Sequence, residues 1–551
     1  MKMANSTLIL SLKRLLATAI FLLGTSIANG AGEYPRVGVK WHDFKSVMLQ
    51  RGIGVEEVLS VADAVLISPN PGQMVDDYRQ RLSEIRSVNP DLLAFRYMNV
   101  TEVIPNAGIF EPVLPVLTDY FVNPNRGGPN KANDGWLREA DGEIVNYWKK
   151  NFSVNISDYV QAYDGSMGTA NADHDLKKPK LGETALDYMT RVNYYTRIRP
   201  SEDFIDGVFE DLFRRWPKRK ADWDNDGNDE SGGRYSSDKV QRMWRLAHLR
   251  NRDNIVGKNY SGFNAVKARS NGRAWLQDGG YFIANLSAWS SNTQIIESLD
   301  SGNAMERIPE FDQAVFGGVH EGVIGRTNSS GGISSSGTEG EYHAGNLDIA
   351  LTGFNFRLSH TRSIPSLGYS ALLFEAFASN LQMARYAFTA GLLTDGLVNV
   401  RTYKDGEPQQ PPWVLDEFVG GNIKYMSMAD AASNRKWLGA AIDPAYPNNP
   451  KLENGRVHLR EFENGLVLLL AGKSHRDPHL TTSLKVNLPD AGAGYAWKRI
   501  SGGQDKSLNN GQIVTGSIRL GTSAANINNN AIILRRVLSA YGPKAPSLTV
   551  H

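Results

Sequence analysis

Two acids, Glu210 and Asp211, end a short apolar run, Phe204-Ile205-Asp206-Gly207-Val208-Phe209. Runs of this kind, with β-branched and aromatic residues, predict a buried strand. An apolar layer does not hold a carboxylate without a partner or a task. By the strand period of two, Asp211 shares a face with Phe209 and Glu210 takes the other. Asp211 is therefore the first candidate for chemistry. Glu210 is either its replacement, if the register slips by one, or a salt-bridge partner turned toward neighbouring helices. Close by, Asp222, Asp224 and Asp226 alternate and are closed by Gly227. They match positions 1, 3, 5 and 6 of a calcium loop, with Asn228 at 7 and Glu230 at 9. Gly233 stands where the pattern's Glu belongs. The expectation is a structural Ca²⁺ site completed by Glu230, or else a hydrated acidic turn.

Other polar and aromatic groups follow strand-like runs: Trp41-His42-Asp43, Arg96-Tyr97, Asn259-Tyr260, Asn285 and His320-Glu321. Several chemistries are missing their residues. The histidines are scattered and no H-E-x-x-H pair exists, which argues against zinc. There is no G-x-S-x-G elbow and no G-x-x-x-x-G-K-[ST] phosphate loop.

The elements that would position these groups alternate between strand and helix. Strands are expected around Val37, Val65, Ala94, Val154, Val208, Val256, Ile283 and Val315. Helices are expected over 55–62, 75–87, 185–194 and 238–252. That alternation predicts a parallel sheet with crossover helices, and about eight strands over about 280 residues suit a (β/α)₈ TIM barrel. In a barrel the strand ends above converge on one face. A doubly wound open sheet is the alternative, weakened because no G-x-G-x-x-G follows the first strand. Gly325 to Gly345, rich in Gly and Ser, reads as a loop over the strand ends or a linker. Ala371 to Leu393 reads as one long apolar helix packed on the barrel. Beyond Gly455 the pattern becomes short strands between Gly, Asn and Asp turns. Glu463-Asn464-Gly465 marks a hairpin, and the segment predicts a small antiparallel β-sandwich domain.

The domains expected are a signal peptide at 1–30, a barrel at 31–450, a β domain at 451–540 and a tail at 541–551. Lys13-Arg14, the apolar stretch Leu15 to Ile27 and the small residues Ala28-Asn29-Gly30 form the secretory pattern. The alternative is an uncleaved N-terminal anchor. Removing residues 1–30 takes away Lys2, Lys13 and Arg14 and no acid, so the formal charge of +2 becomes −1. A near-neutral chain offers no electrostatic reason to bind nucleic acid. The 551 residues include no cysteine, which excludes disulfides, thiol chemistry and thiolate metal sites.

With these motifs in place, the chain resembles a group of glycoside hydrolase-like proteins built as a (β/α)₈ barrel with a C-terminal β domain. The residues that carry the likeness are Asp206 to Asp211, the Asp222 to Gly227 loop and Val256-Gly257-Lys258-Asn259. Leu392-Leu393-Thr394-Asp395-Gly396 and Arg460 to Gly465 extend it into the later part. The resemblance implies an exported glycoside hydrolase acting on a polysaccharide or oligosaccharide with two carboxyl groups. It also places an Asp at Asp211. Glu321 is the expected second carboxylate, with Asp43 and Asp278 as replacements. Trp41, His42, Asp43, Arg96, Tyr97, Asn259, Asn285 and His320 are the expected sugar contacts. A catalytically inert barrel that binds glycans as a scaffold is the alternative.

Overall fold

The structure is a computed structural model that describes residues 33–41, 55–68, 75–103, 111–121, 134–146, 151–157, 160–211, 217, 220–223, 228–231, 237–256, 281–285, 314–324, 344–378, 380–402, 412–453, 455–471, 484–521 and 530–539. At Trp41, Val55, Val256, Asn285, Glu321, Ile349 and 344–346 the side chain lies outside that description.

Eight parallel strands form the barrel: β1 (Gly38–Trp41), β2 (Ala64–Ile67), β3 (Leu93–Met98), β4 (Gly207–Glu210), β5 (Tyr281–Asn285), β6 (Gly317–Ile324), β7 (Ala371–Ala378) and β8 (Leu397–Thr402). They neighbour one another in chain order, and a parallel bridge between Val37 and Val398 joins the last strand to the first. Helices α1 (Val55–Ser60), α2 (Val75–Val88), α3 (Val113–Asp119), α4 (Ala185–Asn193), α5 (Asp238–Val256), α6 (Ala344–Leu358) and α7 (Leu381–Leu392) lie in the connections between the strands. Thr184 caps α4 through a capping box with Asp187, so the helix start predicted near Ala185 has a local cause.

The strands bury both faces. Leu66, Phe95, Phe209, Ile283, Val319 and Leu373 fill the lumen. Val65, Ala94, Val208, Phe282 and Phe374, one residue out of phase, pack with helical residues such as Leu82, Ile85, Leu351 and Phe388. At about 1.5–3 kcal/mol for each fully buried large apolar side chain, these two layers dominate the stabilisation. Two glycines let neighbouring strands close up. A Cβ on Gly207 would stand 2.0 Å from the carbonyl oxygen of Tyr281, and one on Gly318 would stand 1.8 Å from that of Ala284.

The barrel corrects three expectations. The segment around Val154 is not a barrel strand: Phe152–Ser153 pairs with Glu102–Val103 beside the barrel. Val256 ends α5, which runs past the predicted end at Arg252. Ala371 to Leu393 is not one helix but β7 followed by α7, so the barrel closes only at Thr402. A strand buried on both faces is apolar throughout and carries no period that separates it from a buried helix.

Past the barrel, a six-stranded antiparallel sheet runs in the order Lys451–Leu452, β9 (Val457–Phe462), β10 (Gly465–Leu470), β14 (Ala531–Leu538), β12 (Tyr495–Arg499), Ile513–Val514. The paired strands β11 (Leu484–Asn487) and β13 (Ser517–Leu520) contribute Val486, Ile518 and Leu520 to a core with Leu459, Leu468, Trp497 and Ile532. This is the predicted antiparallel sandwich. β9 and β10 pair up to Phe462 and Gly465, the hairpin expected at Glu463-Asn464. Among the described residues no helix is long and apolar enough to cross a membrane.

Candidate active site

In an eight-stranded barrel each layer of the lumen takes four inward side chains from alternate strands. Continuing the inward parity of Leu66, Phe95, Phe209 and Leu373 by two residues reaches Ser68, Tyr97, Asp211 and Glu375. On β1 and β8 the same level carries Lys40 and Arg401. The lumen therefore turns from apolar to polar within one step, at the C-terminal ends of the strands. Positions 285 and 321 lie on β5 and β6; the side chains of Asn285 and Glu321 lie outside the described residues.

Asp211 is half-buried, and the Tyr97 hydroxyl donates to its carboxylate at 2.8 Å. Burial, then the negative charge and hydrogen bond of Asp211, push the Tyr97 phenol well above its ordinary range, so it remains a donor at any working pH. Glu375 is fully buried. Lys40 Nζ lies 3.8 Å from its carboxylate and Arg401 Nη1 lies 3.4 Å away, and Asn399 donates to it at 3.3 Å. The sequence reading omitted Lys40, Glu375, Asn399 and Arg401. The signal was a single acid in the run Ala371-Leu372-Leu373-Phe374-Glu375-Ala376-Phe377-Ala378, which is costly to bury unless it is paired.

Glu210 faces the other way. It sits between strand and helices, where His248 Nδ1 approaches it at 2.6 Å and Asn251 donates to it at 2.7 Å. Thr190 of α4 in turn donates to Asn251 at 2.7 Å. Trp244 packs edge-on against His248 with ring centroids 4.7 Å apart. Arg96 also points away from the lumen; it is buried, and its Nε donates to the carbonyl of Arg197 at 3.2 Å. Burial first, then the like charge of Arg197, push the Arg96 guanidinium down to about 9. Arg197 comes from a single π-helical turn, Tyr194–Ile198, directly after α4. His320 stacks on Phe354 of α6, with centroids 6.1 Å apart and rings 4° from parallel, so it too turns outward. Of the expected sugar contacts with described side chains, only Tyr97 lies on the lumen face.

The acidic turn is closed by a bridge between Ala221 and Glu230. The Glu230 carboxylate accepts the Trp223 N–H at 2.5 Å, Asp222 is buried, and Asn228 is exposed. His42, Asp43, Asp224, Asp226, Asn259 and Asp278 lie outside the described residues, so the predicted five-residue metal set is described only in part.

No family model matches the chain, and no curated protein does. Solved structures similar to it include amylases and galactosidases. The α-amylase of Geobacillus thermoleovorans, complexed with acarbose, shares 9% identity over 91% of this chain and 98% of its own, with a TM-score of 0.40. The trehalose-6-phosphate hydrolase of Bacillus licheniformis shares 10% over 91% and 99%, with a TM-score of 0.39. The α-galactosidase AgaA of Geobacillus stearothermophilus shares 10% over 92% and 56%, with a TM-score of 0.35.

Proposed function

We propose that the protein is an exported glycoside hydrolase that cleaves glycosidic bonds of a polysaccharide, with Asp211 as one of its two carboxylates. The observation that carries this reading is the abrupt change from apolar to polar side chains at the C-terminal end of the lumen. Asp211 stands there directly after the last residue of β4, bonded to Tyr97. Barrel enzymes place their reacting groups on that face. A general acid or nucleophile at that point needs a fixed direction, and Asp211 has a hydrogen-bonded carboxylate that is half-buried. The sequence names Glu321, on β6, as its counterpart. The turn from Asp222 to Glu230 would hold Ca²⁺ through Asp222, Asp224, Asp226, Asn228 and Glu230, ordering the chain that follows β4; Ca²⁺ would take no part in bond cleavage.

The test is reducing-sugar release from bacterial, algal and plant polysaccharides by the wild-type protein, Asp211→Asn and Glu321→Gln. Loss of an acid–base group lowers the rate about 10²–10⁴-fold. Asp211→Asn is expected to fall by at least that range while keeping its circular dichroism. Glycan binding without release by the wild-type protein would leave the inert scaffold as the better reading. Unchanged release by Asp211→Asn would place the chemistry elsewhere.

A further inference from the structure

We propose that Glu375 is the second carboxylate of this site, the member that meets the sugar in ionised form across the lumen from Asp211. The inference rests on the glycoside hydrolase reading. It starts from placement. Glu375 follows Leu373 on the inward face of β7, at the level where Tyr97 and Asp211 appear on β3 and β4. β4 and β7 are three strands apart in a ring of eight, so their inward side chains approach from opposing walls. Paired carboxylates working on a glycosidic bond must stand in this way, one on each side of it.

The energetics argue against a purely structural role. The lumen below is already filled by Phe95, Phe209, Ile283 and Leu373, so the fold needs no charge at this height. A buried ion cluster is commonly no more stable than the apolar residues that would replace it. Here a carboxylate is nonetheless held between two cations, Lys40 and Arg401, brought by the two strands that close the barrel. Asp211 accepts a hydrogen bond from the Tyr97 hydroxyl. Two carboxyl groups in such different surroundings have separable roles. Asp211 gives its proton to the glycosidic oxygen as the carbon–oxygen bond breaks. A Glu375 oxygen either bonds the anomeric carbon, the ester then being released by a water whose proton returns to Asp211, or takes the proton of the attacking water.

The experiment is calorimetric binding of iminosugars of gluco, galacto, manno and fuco configuration, whose ring cation seeks an ionised carboxylate. The wild-type protein is expected to bind at least one of them. Glu375→Gln is expected to bind it about ten- to a hundredfold more weakly while remaining folded at the assay temperature. Binding by Glu375→Gln equal to wild type overturns the assignment. If Asp211→Asn loses binding in the same series, the glycosidase reading survives without Glu375. If the wild-type protein binds none, both fall. Should Glu375→Gln not fold, the wild-type protein is treated with cyclitol epoxides. A carboxylate ester mapped to the Glu375 peptide supports the assignment; an ester on Glu321, or none, overturns it.

Discussion

Glu210 and Asp211 are chain neighbours with opposite surroundings, and the strand period alone separates them. Glu210 is sealed among His248, Asn251 and, one bond further, Thr190. Removing one partner of a buried pair leaves the other buried without compensation, at about 3–5 kcal/mol. Glu210→Ala is accordingly expected to lose about 3 kcal/mol of stability in urea titration. A loss of activity with full stability would show that its role is chemical instead. Tyr97→Phe removes one hydrogen bond to the Asp211 carboxyl group and leaves the ring, whose centroid lies 5.8 Å from that of Phe209. We expect kcat/KM to fall about tenfold with little change in melting temperature. This much was legible in the residues, because alternation needs no tertiary knowledge. The outward turn of Arg96 and His320 follows from the same alternation, because each is one residue out of phase with a lumen neighbour, Phe95 or Val319.

At the scale of elements, β7 and α7 show where patterns mislead. Ala371 to Leu393 is apolar for most of its length, and strand and helix differ there only at Asn380. That residue caps α7, its side chain accepting the Met383 N–H at 2.9 Å. Ser379-Asn380 ahead of a helical run is a readable start signal, and weighing it would have split the segment and exposed Glu375 on the strand. The strands also depend on glycine where backbones crowd. Gly318→Ala would drive a methyl group into the carbonyl of Ala284, a backbone atom that cannot swing aside. We expect it to cost about 3 kcal/mol, the upper end for overpacking, read as a lower urea midpoint with an unchanged slope.

Across the whole molecule, two motifs that lie far apart in the chain turn out to be one joint. Arg460 of β9 donates to the carbonyls of Leu392 and Thr394 at 2.9 and 2.7 Å and to the Asp395 carboxylate at 2.7 Å. Tyr34 donates to the same carboxylate at 2.6 Å. Arg460→Ala removes the two carbonyl bonds and the carboxylate bond at the barrel–sandwich boundary, leaving Asp395 with its Tyr34 partner. A loss of about 3 kcal/mol is expected in denaturant unfolding, from the hydrogen bonds of a charged donor. His458, also on β9, is buried near Lys451 and Asp348, with its ring 6.1 Å from that of Tyr446. Burial, then the charge of Lys451, push the imidazole down to about 4, against the opposing pull of Asp348. Above about pH 6.5 both folded and unfolded chains hold it neutral and it has no effect. Between 6.5 and 4 the unfolded chain takes up the proton and the native one does not, so stability falls by about 3 kcal/mol. His458→Gln should flatten that part of the stability profile; an unchanged slope would remove His458 as its cause.

Composition, strand period and turn chemistry by themselves determined the alternating architecture, the sandwich that follows it, the hairpin at Glu463-Asn464 and the opposite faces of Glu210 and Asp211. These are local properties, written within a few residues of chain. Which eight runs close the barrel was decided only by the tertiary structure, as was the meeting of Lys40, Glu375 and Arg401. Both depend on register between strands hundreds of residues apart, and register is set by packing in three dimensions, not by the order of residue types along any one segment.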